Sequence, residues 1–184
     1  MSNIRIFVSH RIDIDSETVD TPVYFPVRCG AVYDEEGNSE IQGDDTGDNI
    51  SKLRMSFCEF TVQYWAWKNV DADYYGLCHY RRYLSFSDKR YKNTAFNMVR
   101  ELRLTAHEKK KYHLDDTKKI NIVVQKYDMI IPELAKASEM SYNRAEVKTL
   151  REMWESYNGV YFEQGIIDKM FSLIKEYSPE YYNS

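Results

Sequence analysis

Gly43-Asp44-Asp45-Thr46-Gly47-Asp48-Asn49 opens the stretch whose reading decides the fold. It continues through Ser56-Phe57-Cys58-Glu59 and Tyr64-Trp65-Ala66-Trp67-Lys68-Asn69, and closes on Ala72-Asp73-Tyr74-Tyr75-Gly76-Leu77-Cys78-His79-Tyr80-Arg81-Arg82-Tyr83. Ser56 with Glu59 three residues on has the form of a capping box, which predicts a helix from Ser56 to about Asn69. Tyr74 to Cys78 is a short aromatic and apolar run of strand character. A histidine and two arginines follow directly. In open α/β sheets ligands collect beyond the carboxyl ends of strands, so His79, Arg81 and Arg82 mark the first place to look for a site.

Outward from this stretch, Ile4-Arg5-Ile6-Phe7-Val8-Ser9-His10 predicts a first strand ending at His10. Strand, helix and strand in this order form the unit of a parallel sheet, so the fold class is α/β: a mostly parallel sheet flanked by helices. Between them, Tyr24 to Val32 is apolar but holds Pro26, which favours an irregular or edge segment. Glu35 to Thr46 has the composition of a surface loop. Later in the chain, residues 97–111 suit an exposed helix. Asp115 or Asp116 could cap a helix running to Gln125, although Ile120-Asn121-Ile122-Val123-Val124 would also suit a strand. Tyr127 to Ile131, stopped by Pro132, predicts a third strand. Residues 146–157 are helical in pattern. Ile166 to Tyr177 has one apolar face and Pro179 just beyond it, the clearest helix of the chain.

The 184 residues carry no internal repeat or low-complexity tract and read as one domain, 1–184. That length buries roughly 70 % of its unfolded surface. A net charge of −4 argues against a general nucleic-acid surface. Sixteen tyrosines and three tryptophans suit sugar-binding grooves, but also suit an aromatic core. Cys29, Cys58 and Cys78 are an odd set without paired spacing, indicating neither a zinc site nor a disulfide framework. Reduced thiols, no signal-like start and no run of membrane-spanning length point to a cytoplasmic protein.

Several groups could carry chemistry. Asp71-Ala72-Asp73 is an Asp-x-Asp, a form in which nucleotide-sugar transferases hold a metal, but here it precedes a strand, where aspartates favour the turn. Arginine forks match phosphate oxygens bidentately and keep their charge, so Arg81 and Arg82 could neutralise a diphosphate leaving group. Structural pairing with a carboxylate is the competing reading. The Gly43–Asn49 loop, with Asp48 and Asn49, could meet a metal or sugar hydroxyls or be a solvated turn. It matches neither a calcium loop nor a phosphate-binding loop. Trp65 and Trp67 face different sides of their helix, so one belongs to the core and the other is open to a second role.

Six blocks go further: Ile6 to His10, Pro26 to Ala31, Gly47 to Ser51, Tyr64 to Asn69, Tyr75 to Tyr83 and Tyr127 to Pro132. Together they resemble a bacterial family of glycosyltransferase-like domains of unknown function (family 4422). That family is found in capsular and exopolysaccharide gene clusters and is related to the GT-A nucleotide-sugar transferases. The resemblance implies a GT-A-like, Rossmann-like sheet that binds a nucleotide sugar, uridine type favoured, beyond its strand ends. It implies transfer to a saccharide or lipid-linked saccharide, with manganese or magnesium as the metal where one is used. By position it assigns donor binding to Val8, Ser9, His10, Asp48, Asn49, His79, Arg81 and Arg82. Family members continue into acceptor-side elements, so this chain looks like the donor-binding portion without its C-terminal acceptor portion. A sheet edge left open there would be liable to self-association. The competing expectation is a non-catalytic nucleotide- or saccharide-binding module of the same fold.

Overall fold

The computed structural model describes residues 2–14, 16–35, 37, 40–91, 98–134, 149, 151–152 and 165–182. They belong to two compact units, one of residues 1–90 with 101–132, the other of residues 91–100 with 133–184.

The first unit is built on four parallel strands: β1 (Ile4–His10), β2 (Tyr24–Arg28), β3 (Gln42–Gly43) and β4 (Tyr74–His79). Their order across the sheet is β3-β2-β1-β4. β1 is central and buried on both faces, with only Arg5 less than fully covered, as a parallel strand between two neighbours requires. It pairs Ile4 with Tyr74 through Ser9 with His79 on one side, and Ile6 with Tyr24 through His10 with Arg28 on the other.

Tyr24–Arg28 is thus an interior strand, not the irregular or edge segment that Pro26 suggested. The Cys29 amide donates to His10 O and the Ile6 amide to Val23 O, each at 2.8 Å, so odd-numbered residues of β2 turn their peptide groups to β1. Pro26 therefore has its missing N–H on the other side, where β3 reaches only Val27 and Arg28. No ladder bond is lost. The expected surface loop at Glu35–Thr46 likewise contains β3 and the fully buried Asp44.

Helix α1 (Arg54–Phe57) and helix α2 (Phe60–Asn69) replace the single helix predicted from Ser56. Cys58 separates them with φ +46°. The capping box does not form: Glu59 is the residue preceding α2, and its side chain caps nothing. The predicted end at Asn69 holds. α2 buries Thr61, Val62, Trp65 and Ala66, the i, i+1, i+4, i+5 face of a helix lying on a sheet. Trp65 packs with Phe7, Phe25, Val27, Cys29 and Val70 in the core, edge-on to Phe7 at 6.3 Å and stacked on Phe25 at 6.4 Å. Trp67, two residues on, is 64 % exposed, with the Lys68 Nζ 3.6 Å above its ring.

Helix α3 (Ala106–Lys111) occupies only the end of the predicted 97–111 helix, and residues 98–105 are irregular. Helix α4 (Thr117–Val124) resolves the helix-or-strand ambiguity: Asp116 caps it by accepting the Lys119 amide at 2.9 Å, and Ile120 is fully buried. Tyr127–Ile131 is exposed and irregular, so the predicted third strand is absent there. An apolar run before a proline lacks a neighbouring ladder in that place. Most of the predicted 146–157 helix lies outside the described residues. In the second unit, helix α5 (Ile166–Tyr177) forms as predicted, followed by a 3-10 turn at Pro179–Tyr181 that brings Tyr182 edge-on to Phe171.

Candidate functional site

In the order β3-β2-β1-β4 the chain leaves β1 toward one side of the sheet and β4 lies on the other. The carboxyl ends of β1 and β4 therefore flank the point where the topology reverses, the crevice in which open α/β sheets take ligands. Ser9 is paired with His79 there, and the Tyr80 amide donates to Ser9 O at 3.0 Å, so the two strand ends are locked side by side.

Sequence reasoning placed Val8, Ser9, His10, His79, Arg81 and Arg82 at this end, and the register brings them together. Their side chains differ in what they can offer. Val8 is 2 % exposed and belongs to the core. His10 is also 2 % exposed; its Nδ1 lies 2.6 Å from Ser16 Oγ, and its Nε2 is buried without a partner. A polar atom buried unpaired is costly, which singles it out as a position for a ligand group or water. The imidazole of His10 rests against Tyr80 with ring centroids 6.2 Å apart. Burial, followed by the neighbouring His79, holds the His10 pKa below its ordinary value.

His79 is held low as well, first by burial, with Arg82, Arg81 and Arg11 adding to the effect and Glu59 opposing it. Its Nε2 lies 3.4 Å from Glu59 Oε1. Arg81 and Arg82 are exposed, and among the described residues neither guanidinium forms an ion pair with a carboxylate. Arg81 lies over the Tyr80 ring at 5.0 Å. Two arginines left open at a strand end are available to an anion rather than committed to the scaffold.

Arg11, Arg54 and Glu59 were not singled out as site residues by sequence reasoning. Arg11 forks onto Asp13, with Nε to Oδ1 at 2.8 Å, and its charge reaches His79 and Tyr80. Arg54 packs under Gly30 and adds to Arg11 in holding the Asp13 carboxyl below its usual range. One signal was present: Arg11 directly follows the end of β1, and Arg81 lies two residues past the end of β4.

Asp48 and Asn49 belong to another part of the molecule. The Asn69 side chain donates to Asp48 O at 2.7 Å and accepts the Asp48 amide at 3.0 Å, while Tyr64 donates to the Asp48 carboxylate at 3.2 Å. Asn49 spends its amide on Asp45 O and Gly47 O, both at 3.0 Å. Asn69 is the last residue of α2, whereas Glu59, which meets His79, precedes its first. Ten helical residues, about 15 Å, separate the two ends. The loop lies along the helix instead: Asp44 meets Thr61, Thr46 meets Trp65 and Asp48 meets Asn69. Each of these loop contacts, two residues apart, meets α2 four residues further on, about one turn of the helix.

Asp71 and Asp73 lie at the amino ends of the strands. Asp73 Oδ2 accepts the Asn3 amide at 2.7 Å and Asp71 O accepts the Asn3 side chain at 2.8 Å. The pair does not fit a metal serving the β1/β4 carboxyl ends; it fixes the entry into both strands. Among the described residues no three His, Cys, Asp or Glu side chains converge as a metal set. Burial raises the Cys29 pKa and pushes that of Cys78 up to about 12, which keeps both thiols protonated. Among the described residues no helix is long and apolar enough to cross a membrane.

Comparison with solved structures finds the apo form of a bifunctional glycosyltransferase, WbbM, with a TM-score of 0.81 and 28 % sequence identity. The match covers 97 % of this chain and 30 % of that one, so the chain spans under a third of the enzyme it resembles. The fold is therefore that of a glycosyltransferase-like α/β domain. No curated protein matches the chain. Residues 5–184 match the family described as a domain of unknown function, DUF4422, and the chain belongs to that family.

Proposed function

We propose that this domain binds the diphosphate of a nucleotide sugar at the carboxyl ends of β1 and β4 and serves glycosyl transfer. The observation that carries the reading is the pair Arg81 and Arg82, exposed and, among the described residues, without carboxylate partners, at the topological switch point. Beside it lie Arg11, whose charge reaches His79, and His10, whose Nε2 is buried without a hydrogen-bond partner among the described residues. The likeness to a glycosyltransferase supplies the reaction class.

The chemistry follows from charge. When a glycosyl group leaves a nucleoside diphosphate, negative charge builds on the bridging and outer phosphate oxygens. Guanidinium groups held at a strand end stabilise that charge with little reorganisation, and each fork can take two oxygens. His10 is held in the neutral form by burial and offers one ring nitrogen for a hydrogen bond. Of the residues that sequence reasoning assigned to the donor, His10, Arg81 and Arg82 are retained as ligand contacts, while Val8 and Ser9, each 2 % exposed, support the strand end from the core. The nucleoside favoured is uridine, and the acceptor a capsular, exopolysaccharide or lipid-linked saccharide, both on the strength of the sequence resemblance.

Isothermal calorimetry against uridine, guanosine and cytidine diphosphates, each with and without manganese, tests the reading. Binding of one nucleotide with a micromolar to millimolar Kd, weakened by Arg81→Ala, supports it. No heat with any of the three contradicts it.

A further inference from the structure

The residues between β4 and Tyr83 form a turn whose hydrogen bonds are unusual for a histidine. The Arg82 amide donates to His79 O at 2.8 Å, closing a four-residue turn from His79 to Arg82. Inside it, the Arg81 amide donates to His79 Nδ1 at 3.2 Å. A side chain accepting the backbone N–H two residues on is the bond that Asn and Asp make in an Asx turn. Here the imidazole makes it. Since Nδ1 accepts, Nε2 carries the ring proton, and Nε2 is the atom facing Glu59 Oε1 at 3.4 Å. The tautomer is therefore set from both sides: by Arg81 N–H on one nitrogen and by the carboxylate ahead of α2 on the other.

We propose that His79 is a positioning residue of the anion site, accepting the Arg81 amide through Nδ1 and so holding the turn that carries both guanidinium groups. The inference rests on the proposed diphosphate reading for the ligand, but not for the geometry. A ring whose Nδ1 is committed to a backbone amide and whose Nε2 faces a carboxylate has no nitrogen left to offer a phosphate. Its side chain is also 15 % exposed, whereas the arginines it precedes are open to solvent. The groups facing His79 are Glu59 ahead of α2, Arg11 after β1, and Arg81 and Arg82 of its own turn, with His10 beside it. Burial and the three arginines together keep its proton count at one, the state in which Nδ1 accepts.

Substitution separates positioning from contact. Asn at position 79 can repeat the bond to the residue 81 amide through Oδ1, while Ala and Gln cannot make it with the same ring size. Two readouts are taken on His79→Asn, His79→Ala and His79→Gln. The first is amide hydrogen exchange at Arg81, followed by two-dimensional NMR without ligand. The second is calorimetric binding of uridine diphosphate and of inorganic pyrophosphate. We expect the Arg81 amide to exchange at the wild-type rate in the Asn variant and roughly fivefold or more faster in the Ala and Gln variants, the scale of one lost hydrogen bond. Affinity for both anions should follow the same order, with Asn within about twofold of wild type. Equal exchange at Arg81 in all four proteins overturns the inference whatever the ligand. Wild-type exchange in His79→Asn, with binding as weak as in His79→Ala, also overturns it, because the ring would then be a ligand contact. Should wild-type protein bind neither anion while exchange follows the expected order, the diphosphate reading fails and the turn geometry stands.

Discussion

The Thr61 hydroxyl lies 2.5 Å from the Asp44 carboxylate, and both side chains are completely buried. Asp44 also takes the Ser51 hydroxyl at 2.6 Å and the amides of Gly30 and Ala31 at 2.9 Å each. One carboxylate thus joins the segment after β2, the segment after β3 and the first turn of α2. A buried charge is tolerated when its oxygens are filled by donors, and here four donors converge on it. Asp44→Ala should cost about 3–5 kcal/mol, since it leaves several buried donors without acceptors. Thr61→Val should cost about 1–3 kcal/mol, since it removes one donor of the four. Urea denaturation of the two variants checks the order. A loss under about 1 kcal/mol for Asp44→Ala would mean that water reaches the node.

Arg81→Ala should weaken binding of the nucleoside diphosphate by roughly 1.5–3 kcal/mol, the scale of a charge-assisted hydrogen bond. Stability should change by less than about 0.5 kcal/mol, because the side chain is exposed and leaves no carboxylate behind. Melting and calorimetry on the same preparation decide between site and scaffold. A large fall in melting temperature would place Arg81 in the scaffold.

The two tryptophans of α2 should behave oppositely. Trp65 is 5 % exposed in the core and donates its indole N–H to Thr46 Oγ1 at 3.0 Å, so Trp65→Ala should cost about 3–5 kcal/mol. Trp67→Ala, at an exposed ring that meets Lys68 and the edge of Tyr64, should cost under about 1 kcal/mol. Thermal denaturation of both measures the contrast; comparable losses would refute the burial assignment.

Opposite signs are also expected where the backbone turns left-handed. Gly30 has φ +70°, and a Cβ there would stand 2.1 Å from Arg54 Cδ, so Gly30→Ala should destabilise by about 1–3 kcal/mol. Cys58 already holds a side chain at φ +46°, so Cys58→Gly should stabilise by roughly 1 kcal/mol. Chemical denaturation of each, compared with wild type, reads the signs directly.

The two site histidines give a pH signature. Both have folded pKa values below the ordinary 6.5, so above that value they are neutral in both states and cost nothing. As pH falls below 6.5 the unfolded chain takes up protons that the folded one refuses, and stability drops until the folded pKa values are passed. The unfolding free energy should therefore decline between pH 7 and 5, and His10→Gln should flatten that decline. An unchanged slope in His10→Gln would remove His10 from the account.

Much of this fold is legible in the sequence where a segment carries its own period. Ile4–His10, Tyr74–His79 and Ile166–Tyr177 have patterns that no neighbour needs to complete, and the structure places elements there. Tyr24–Arg28 was misread because proline's cost depends on which side its missing N–H faces, and only the register with β3 decides that. The helix start failed for a related reason: Ser56 and Glu59 have capping-box spacing, but Glu59 turns to His79 instead. At the site, strand ends pointed to His10, His79, Arg81 and Arg82, since topology alone brings strand ends together. Asp48 and Asn49 could not be placed that way: Asp48 is held by Asn69, 21 residues distant and visible only once α2 lies beside the loop, and Asn49 closes the loop on Asp45 and Gly47.

The central claim is that a nucleoside diphosphate occupies the carboxyl ends of β1 and β4. Backbone amide shift mapping of the whole chain, titrated with uridine diphosphate, tests it most directly. The account predicts changes clustered at residues 8–11 and 79–82, with the amino-end residues Asn3, Asp71 and Asp73 unmoved. Changes confined to α5, or centred on Asp48, Asn49 and Asn69, would contradict it.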